Sequence, residues 1–119
     1  MKQIHIAYAE LPIMKVFWEH GSMTSPELLS HLEGNKSTLK TLLQRLVAKG
    51  AVEATEITSR SYRYTALVSQ QQYIDQERRG FLQKVFDGSA KKMLLNFVKE
   101  EKITREDLQA LLDQIEEDE

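Results

Sequence analysis

The sequence predicts a mainly α fold with one small β-hairpin, in the order three helices, two strands, three helices. Three observations carry this. Apolar residues recur at three- and four-residue spacing through most of the 119 residues. One stretch, 51–67, alternates apolar and polar side chains instead. Gly, Pro, Ser and Asp punctuate the boundaries between stretches.

Residues 8–19 form the first predicted helix. Leu11, Met14, Phe17 and Trp18 recur at helical spacing, Pro12 lies in the first turns where a missing N–H costs least, and Gly21 stops the run. Ser25-Pro26-Glu27 starts the second, with Ser25 as N-cap and Pro26 at the first helical position. Leu28, Leu29 and Leu32 supply its apolar side, and Gly34 ends it. Residues 37–49 form the third and best-defined helix. Leu39, Leu42, Leu43, Leu46 and Val47 fall in one stripe. Ser37, Thr41, Gln44 and Ala48 point the other way, Thr38 and Arg45 lie on one flank, and Lys40 on the other. Gly50 closes the helix.

Residues 51–58 and 61–67 read as two short strands, favoured by Val52, Ile57, Tyr62 and Tyr64. The loop between them, Thr58-Ser59-Arg60-Ser61, is polar and has no Gly. Helical spacing returns over 69–86, weakened at Gly80 and broken by Asp87-Gly88. Residues 91–100 and 104–116 give two further helices, the last opened by Thr104 and Asp107 at capping-box spacing. The ending EEDE is expected to fray. Residues 1–69 thus read as a compact head and 70–119 as a helical region. The later helices carry apolar stripes with little of the head left to cover, so a second copy of the same helices is the expected partner.

Net charge is −2, unevenly spread: residues 1–69 carry +2, residues 70–99 +3, and residues 100–119 −7. The acidic end hides a basic body. A polyanionic partner responds to the local field, so the overall balance does not exclude one. There is no cysteine, which rules out disulfides and thiolate metal sites and suits a reducing cytosol. No apolar run approaches the roughly 20 residues that span a bilayer. The opening MKQIHIAYAELP lacks the apolar segment of a secretory signal, so a cytoplasmic protein is expected.

Between residues 35 and 66 stand six basic and two acidic side chains. A major groove admits a helix whose outward face is small and polar. Thr can meet phosphate or a thymine methyl, and Lys and Arg can reach guanine edges or phosphates. A polar helix face beside a hairpin is often merely solvated; a glycine-bounded polar helix followed by a basic hairpin is more specific. A module that binds only protein is the alternative. Catalysis is not expected: there is no phosphate loop, nucleophile elbow or His pair at ligand spacing. His5, His20 and His31 are scattered over different elements and read as surface or boundary residues.

The stretches AELPIMKVFWEHGSMTSPELLSHL, STLKTLLQRLVAKGAVEA and SYRYTA resemble the winged helix-turn-helix head of the penicillinase-repressor family, which includes methicillin-resistance and copper-responsive repressors. FLQKVFDGSAKKMLLNFVKEE is similar to that family's dimerisation region, so the likeness covers nearly the whole chain. It implies a DNA-binding transcriptional repressor acting as a homodimer on a palindromic operator of double-stranded DNA. By position, Ser37, Thr38, Lys40 and Thr41 match the DNA-reading part of the recognition helix, and Arg45 a backbone contact. Arg60 and Arg63 match the wing loosely, near the hairpin tip. Dimerisation would use Phe81, Leu82, Val85, Phe86, Leu94, Phe97, Leu108, Leu111 and Leu112.

The likeness also separates two release mechanisms. Copper-responsive members use a cysteine motif that is absent here, and no cofactor or metal is expected. The β-lactam-responsive members are cut at an Asn–Phe bond by a membrane-bound metalloprotease sensor. Asn96-Phe97 stands in matching context, and that sensor is the further partner it would imply. The plain alternative is that Phe97 is a core residue with a polar neighbour.

Overall fold

A computed structural model describes residues 4–118. A 3-10 turn, Tyr8–Glu10, leads into α1, Leu11–His20. Then follow β1 (Met23–Thr24), α2 (Ser25–Ser30), α3 (Lys36–Ala48), β2 (Val52–Thr58) and β3 (Ser61–Ala66). Three more helices complete the chain: α4 (Gln70–Phe86), α5 (Ala90–Glu100) and α6 (Arg105–Asp118). The winged-helix fold class is as expected. Two compact units divide after Ile74.

In the first unit one core holds the helices against the sheet. Ile13, Met14, Val16 and Phe17 of α1 meet Leu28 of α2, Leu43 and Leu46 of α3, and Val52 of β2. The buried stripe of α1 is wider than expected, adding Ile13 and Val16, while Leu11 and Trp18 are only half-buried. On α3 the expected stripe holds: Leu43 and Leu46 are buried, and Leu39, Leu42 and Val47 half-buried. Gly50 ends this helix at φ 85°, a conformation that side chains resist. The Gly50 N–H bonds the Val47 carbonyl at 3.1 Å and the Ala51 N–H the Leu46 carbonyl at 2.9 Å, the paired closure of a Schellman turn.

The sheet differs from the expected hairpin. It has three strands in the order β1-β3-β2. Met23 and Thr24 pair antiparallel with Tyr64 and Arg63. Two residues cannot show a periodicity, so β1 left no sequence pattern. The same short segment moves the start of α2. Thr24, not Ser25, is the N-cap, and Pro26 falls at the second helical position. The Glu27 N–H donates to Thr24 Oγ1 at 3.4 Å and the Thr24 N–H to Glu27 Oε1 at 3.2 Å. Thr24 and Glu27 stand three apart, the spacing of a capping box, and Ser25 has no such partner. The helix also ends at Ser30, before Gly34.

Trp18 ties α1 to the start of α4. Its indole Nε1–H donates to the Val68 carbonyl at 2.9 Å, and its ring lies 5.4 Å from that of Tyr73. Ser69 caps α4, accepting from the Gln72 N–H at 3.0 Å while its own N–H donates to Gln72 Oε1 at 2.7 Å.

The second unit is helical, and its three helices leave large apolar side chains in solvent: Phe81, Val85, Leu94, Leu95, Phe97, Leu111, Leu112 and Ile115. Of the expected dimerisation set, Leu82, Phe86 and Leu108 are half-buried. Ser89 caps α5, and Thr104 and Asp107 cap α6 reciprocally at 2.9 and 3.1 Å, as expected. The final helix runs to Asp118, beyond where fraying was expected; Glu119 lies outside the described residues. No described helix is long and apolar enough to cross a membrane.

Among the described residues of the first unit, Glu10 is the one buried charge, 2% exposed. Its carboxylate accepts from the Ala7 N–H at 2.8 Å and from Lys49 Nζ at 2.6 Å, and the same ammonium donates to the His5 carbonyl at 2.9 Å. Burial pushes the Glu10 carboxyl up. The hydrogen bonds from Lys49 and Ala7, with the charges of Lys49 and Arg45, outweigh it and hold the group below the usual carboxylate range. A depressed folded pKa gives stability that is present above the unfolded value and lost as pH falls through the folded one. Lys49→Met should therefore destabilise the head by about 3 kcal/mol, the lower end for breaking a buried pair, because Lys49 keeps 30% exposure. In that variant the unpaired carboxyl moves up, so its stability deficit should shrink as pH falls from 7 to 5. Denaturant melts across that range read both effects, and a deficit that grows with acidity would contradict them.

Candidate nucleic-acid interface

The outward side of α3 is built by the inward pull of its leucines. With Leu43 and Leu46 in the core, the helical period places Ser37, Thr38, Lys40, Thr41, Gln44 and Arg45 in solvent. Asn35 starts the helix, its side-chain oxygen accepting from the Thr38 N–H at 3.1 Å. Lys36 and Ser37 thus occupy a first turn whose free N–H groups favour an anion. Lys36, which was not among the expected contacts, is exposed and stands beside the cap.

The side chains on this face differ in how free they are. Lys40 makes no ion pair among the described residues. Thr41 donates its hydroxyl to the Ser37 carbonyl at 3.0 Å, so what it turns outward is a methyl and acceptor lone pairs. Arg45 feels Glu10, whose carboxyl it helps to hold ionised.

The two wing arginines separate. Arg60 stands in the turn between β2 and β3, where its backbone N–H meets Thr58 Oγ1 at 3.4 Å. Arg63 is not near the tip: it pairs with Thr55 on one side and Thr24 on the other. It alternates with Tyr62 and Tyr64, so it leaves the opposite face of the sheet from them. Its guanidinium donates to the Ser22 carbonyl at 3.2 Å, strapping the segment before β1 to β3, with Ser22 and Thr65 hydroxyls bonded at 2.9 Å beside it. The missing signal was β1 itself, without which Arg63 reads as a free wing residue.

Between α3 and the hairpin lies an open groove of about 170 Å³, lined by Gln44, Val47, Ala54, Tyr62 and Tyr64. Two histidines expected to be scattered meet: the rings of His20 and His31 stack with centroids 4.3 Å apart and planes 21° apart. They close α1 and α2, two elements that the fold brings together. Among the described residues no group of three or more His, Asp or Glu side chains could hold a metal ion. Asn96 and Phe97 sit in the body of α5, exposed, with the Phe97 carbonyl accepting from the Glu101 N–H at 2.9 Å.

The penicillinase repressor family profile matches residues 6–117. The penicillinase repressor of Bacillus licheniformis is 32% identical, over 98% of this chain and 94% of its own. A solution structure of the DNA-binding domain of the repressor BlaI matches 61% of this chain and 94% of that one, at 35% identity and a TM-score of 0.54. Solution coordinates of Bacillus licheniformis BlaI, in monomeric form in complex with the blaP half-operator, match the same shares at 36% identity and a TM-score of 0.50.

Proposed function

The chain belongs to the penicillinase repressor family, and we propose that it represses transcription by binding a palindromic operator as a homodimer. Members of this family are DNA-binding regulators, not enzymes. The observation that carries the reading is the free outward face of α3. Its polar side chains are held out by a core on the other side, and Lys40 makes no ion pair among the described residues. The relative with a half-operator bound supports the same direction. In this reading Ser37, Thr38, Lys40 and Thr41 enter the major groove, and Arg45 and Arg60 meet the phosphate backbone. Arg63 orients the wing through Ser22.

Homodimerisation is supported by the second unit. Its apolar side chains are too many and too exposed for a three-helix unit that works as a monomer. Two heads on one dimer double the phosphate contacts, and the second binds at high effective concentration. The acidic last helix lies away from DNA in this arrangement, since its charge opposes phosphate. Release by cutting after Asn96 is the further part of the proposal. That cut detaches α6 and the last turn of α5 from Phe97 onward, and with them Phe97, Leu108, Leu111 and Leu112. The site of action is the cytoplasm, where the operator is.

Three measurements test these parts. Lys40→Ala should weaken binding to a selected operator about tenfold or more with an unchanged melting temperature. The slope of log affinity against log salt should become shallower by about 0.9 for each phosphate left without its cation. A protein that shifts no DNA fragment selectively at moderate salt is a protein-binding module instead. Phe97→Ala should move the chain toward monomer in sedimentation, and an unaltered dimer would remove this residue from the interface. Incubation with a sensor metalloprotease that cuts a family repressor should yield a new N-terminus at Phe97; an intact chain sinks the release step.

A further inference from the structure

An open pocket of about 340 Å³ lies beside α1 and the first residue of α4, lined by Lys15, Trp18, Glu19 and Gln70. Small-molecule sites run from about 300 to 1,000 Å³. Lys15, Trp18 and Glu19 stand three and four apart on α1 and so share one side of it. The indole is held still: its Nε1–H is bonded to the Val68 carbonyl, and the Tyr73 ring lies beside it. Trp18 is half-buried, and the three polar residues round it are exposed. Lys15 and Glu19 carry opposite charges at a spacing that favours pairing, yet no ion pair joins them among the described residues. Glu19 reaches only His20 there, at 3.8 Å. Neither the Lys15 ammonium nor the Gln70 carboxamide meets a partner among the described residues.

Each lining group asks for one kind of partner. A fixed indole asks for a flat ring to stack on it. A carboxamide presents a donor and an acceptor side by side, a carboxylate only accepts, and an ammonium donates and carries charge. We propose that this pocket binds an adenine nucleotide. The base stacks on Trp18, and its N6–H donor and N7 acceptor meet the Gln70 carboxamide, the bidentate pairing that Gln makes with adenine. Glu19 accepts from the ribose hydroxyls, and Lys15 meets the phosphate. Guanine fits less well, because its corresponding edge presents two acceptors, N7 and O6, and sets one of them against the carboxamide oxygen. Inorganic phosphate engages Lys15 alone and leaves the other three groups unused.

Trp18 is the chain's one tryptophan, so its fluorescence reads the pocket directly. The test titrates the full chain, free of DNA, with AMP, adenosine, GMP and inorganic phosphate, and follows the same additions by calorimetry. AMP should change the emission saturably. Adenosine should bind about tenfold more weakly for want of the charged contact, GMP more weakly than AMP, and phosphate should leave the emission unchanged. Lys15→Met should bring AMP down to the level of adenosine while adenosine binds as before. Gln70→Ala should remove the preference for AMP over GMP. Both residues are exposed, and thermal melts confirm that each variant folds. Lys40→Ala should bind AMP like the wild type, because Lys40 stands on α3 and not at this pocket. A chain that binds no AMP overturns the proposal. So does AMP binding that calorimetry detects and the indole does not, or that survives Lys15→Met and Gln70→Ala combined. A loss in Lys40→Ala overturns it too, by placing the nucleotide on the outward side of α3.

Discussion

The ion pair between Glu10 and Lys49 is the constraint on which the head's geometry depends. Hydrophobic burial is non-directional and tolerates small rotations of a helix about its axis. A buried carboxylate does not, since leaving it unpaired costs several kcal/mol. Here one carboxylate gathers the 3-10 turn, through Ala7, and the last residue beyond α3, through Lys49. The same ammonium holds the chain at His5. With its far end fixed and its leucines buried, α3 has one orientation left, and its polar side follows.

The sheet does for the wing what that pair does for the helix. A two-stranded hairpin alone is marginal in water. The third strand, although two residues long, adds a partner on the other side of β3, and Arg63 and Ser22 reinforce it. Trp18 then carries the order of the head into the first turn of α4 through Val68 and Tyr73. The whole first unit therefore acts as a rigid mount for one exposed face.

Much of this was legible in the residues. The leucine stripe of α3, its glycine stop and the alternation of the two long strands each have a period that survives without tertiary context. What was not legible depends on contacts between distant segments. β1 exists only because β3 lies beside it, and Arg63 is read correctly only once Ser22 is in place. His20 and His31 stack because two helix ends converge, which no local spacing announces. The N-cap at Thr24 is of another kind: its capping-box spacing to Glu27 is local, but the adjacent Ser25-Pro26 carries a competing helix-start signal. Lys49, a lysine at a helix end, gave no hint that it faces a carboxylate 39 positions earlier.

The position of Asn96-Phe97 within α5 has one more consequence. A protease grips an extended chain, and this bond is wound into a helix of 11 residues. Isolated helices that short are marginal in water, so the lifetime of the wound state is set by whatever lies against Leu94 and Phe97. In the proposed homodimer a second copy seated there would keep this backbone closed, and a dissociated copy would let it uncoil. If the proposed cut after Asn96 takes place, the protein's half-life before the cutting enzyme would report its own concentration.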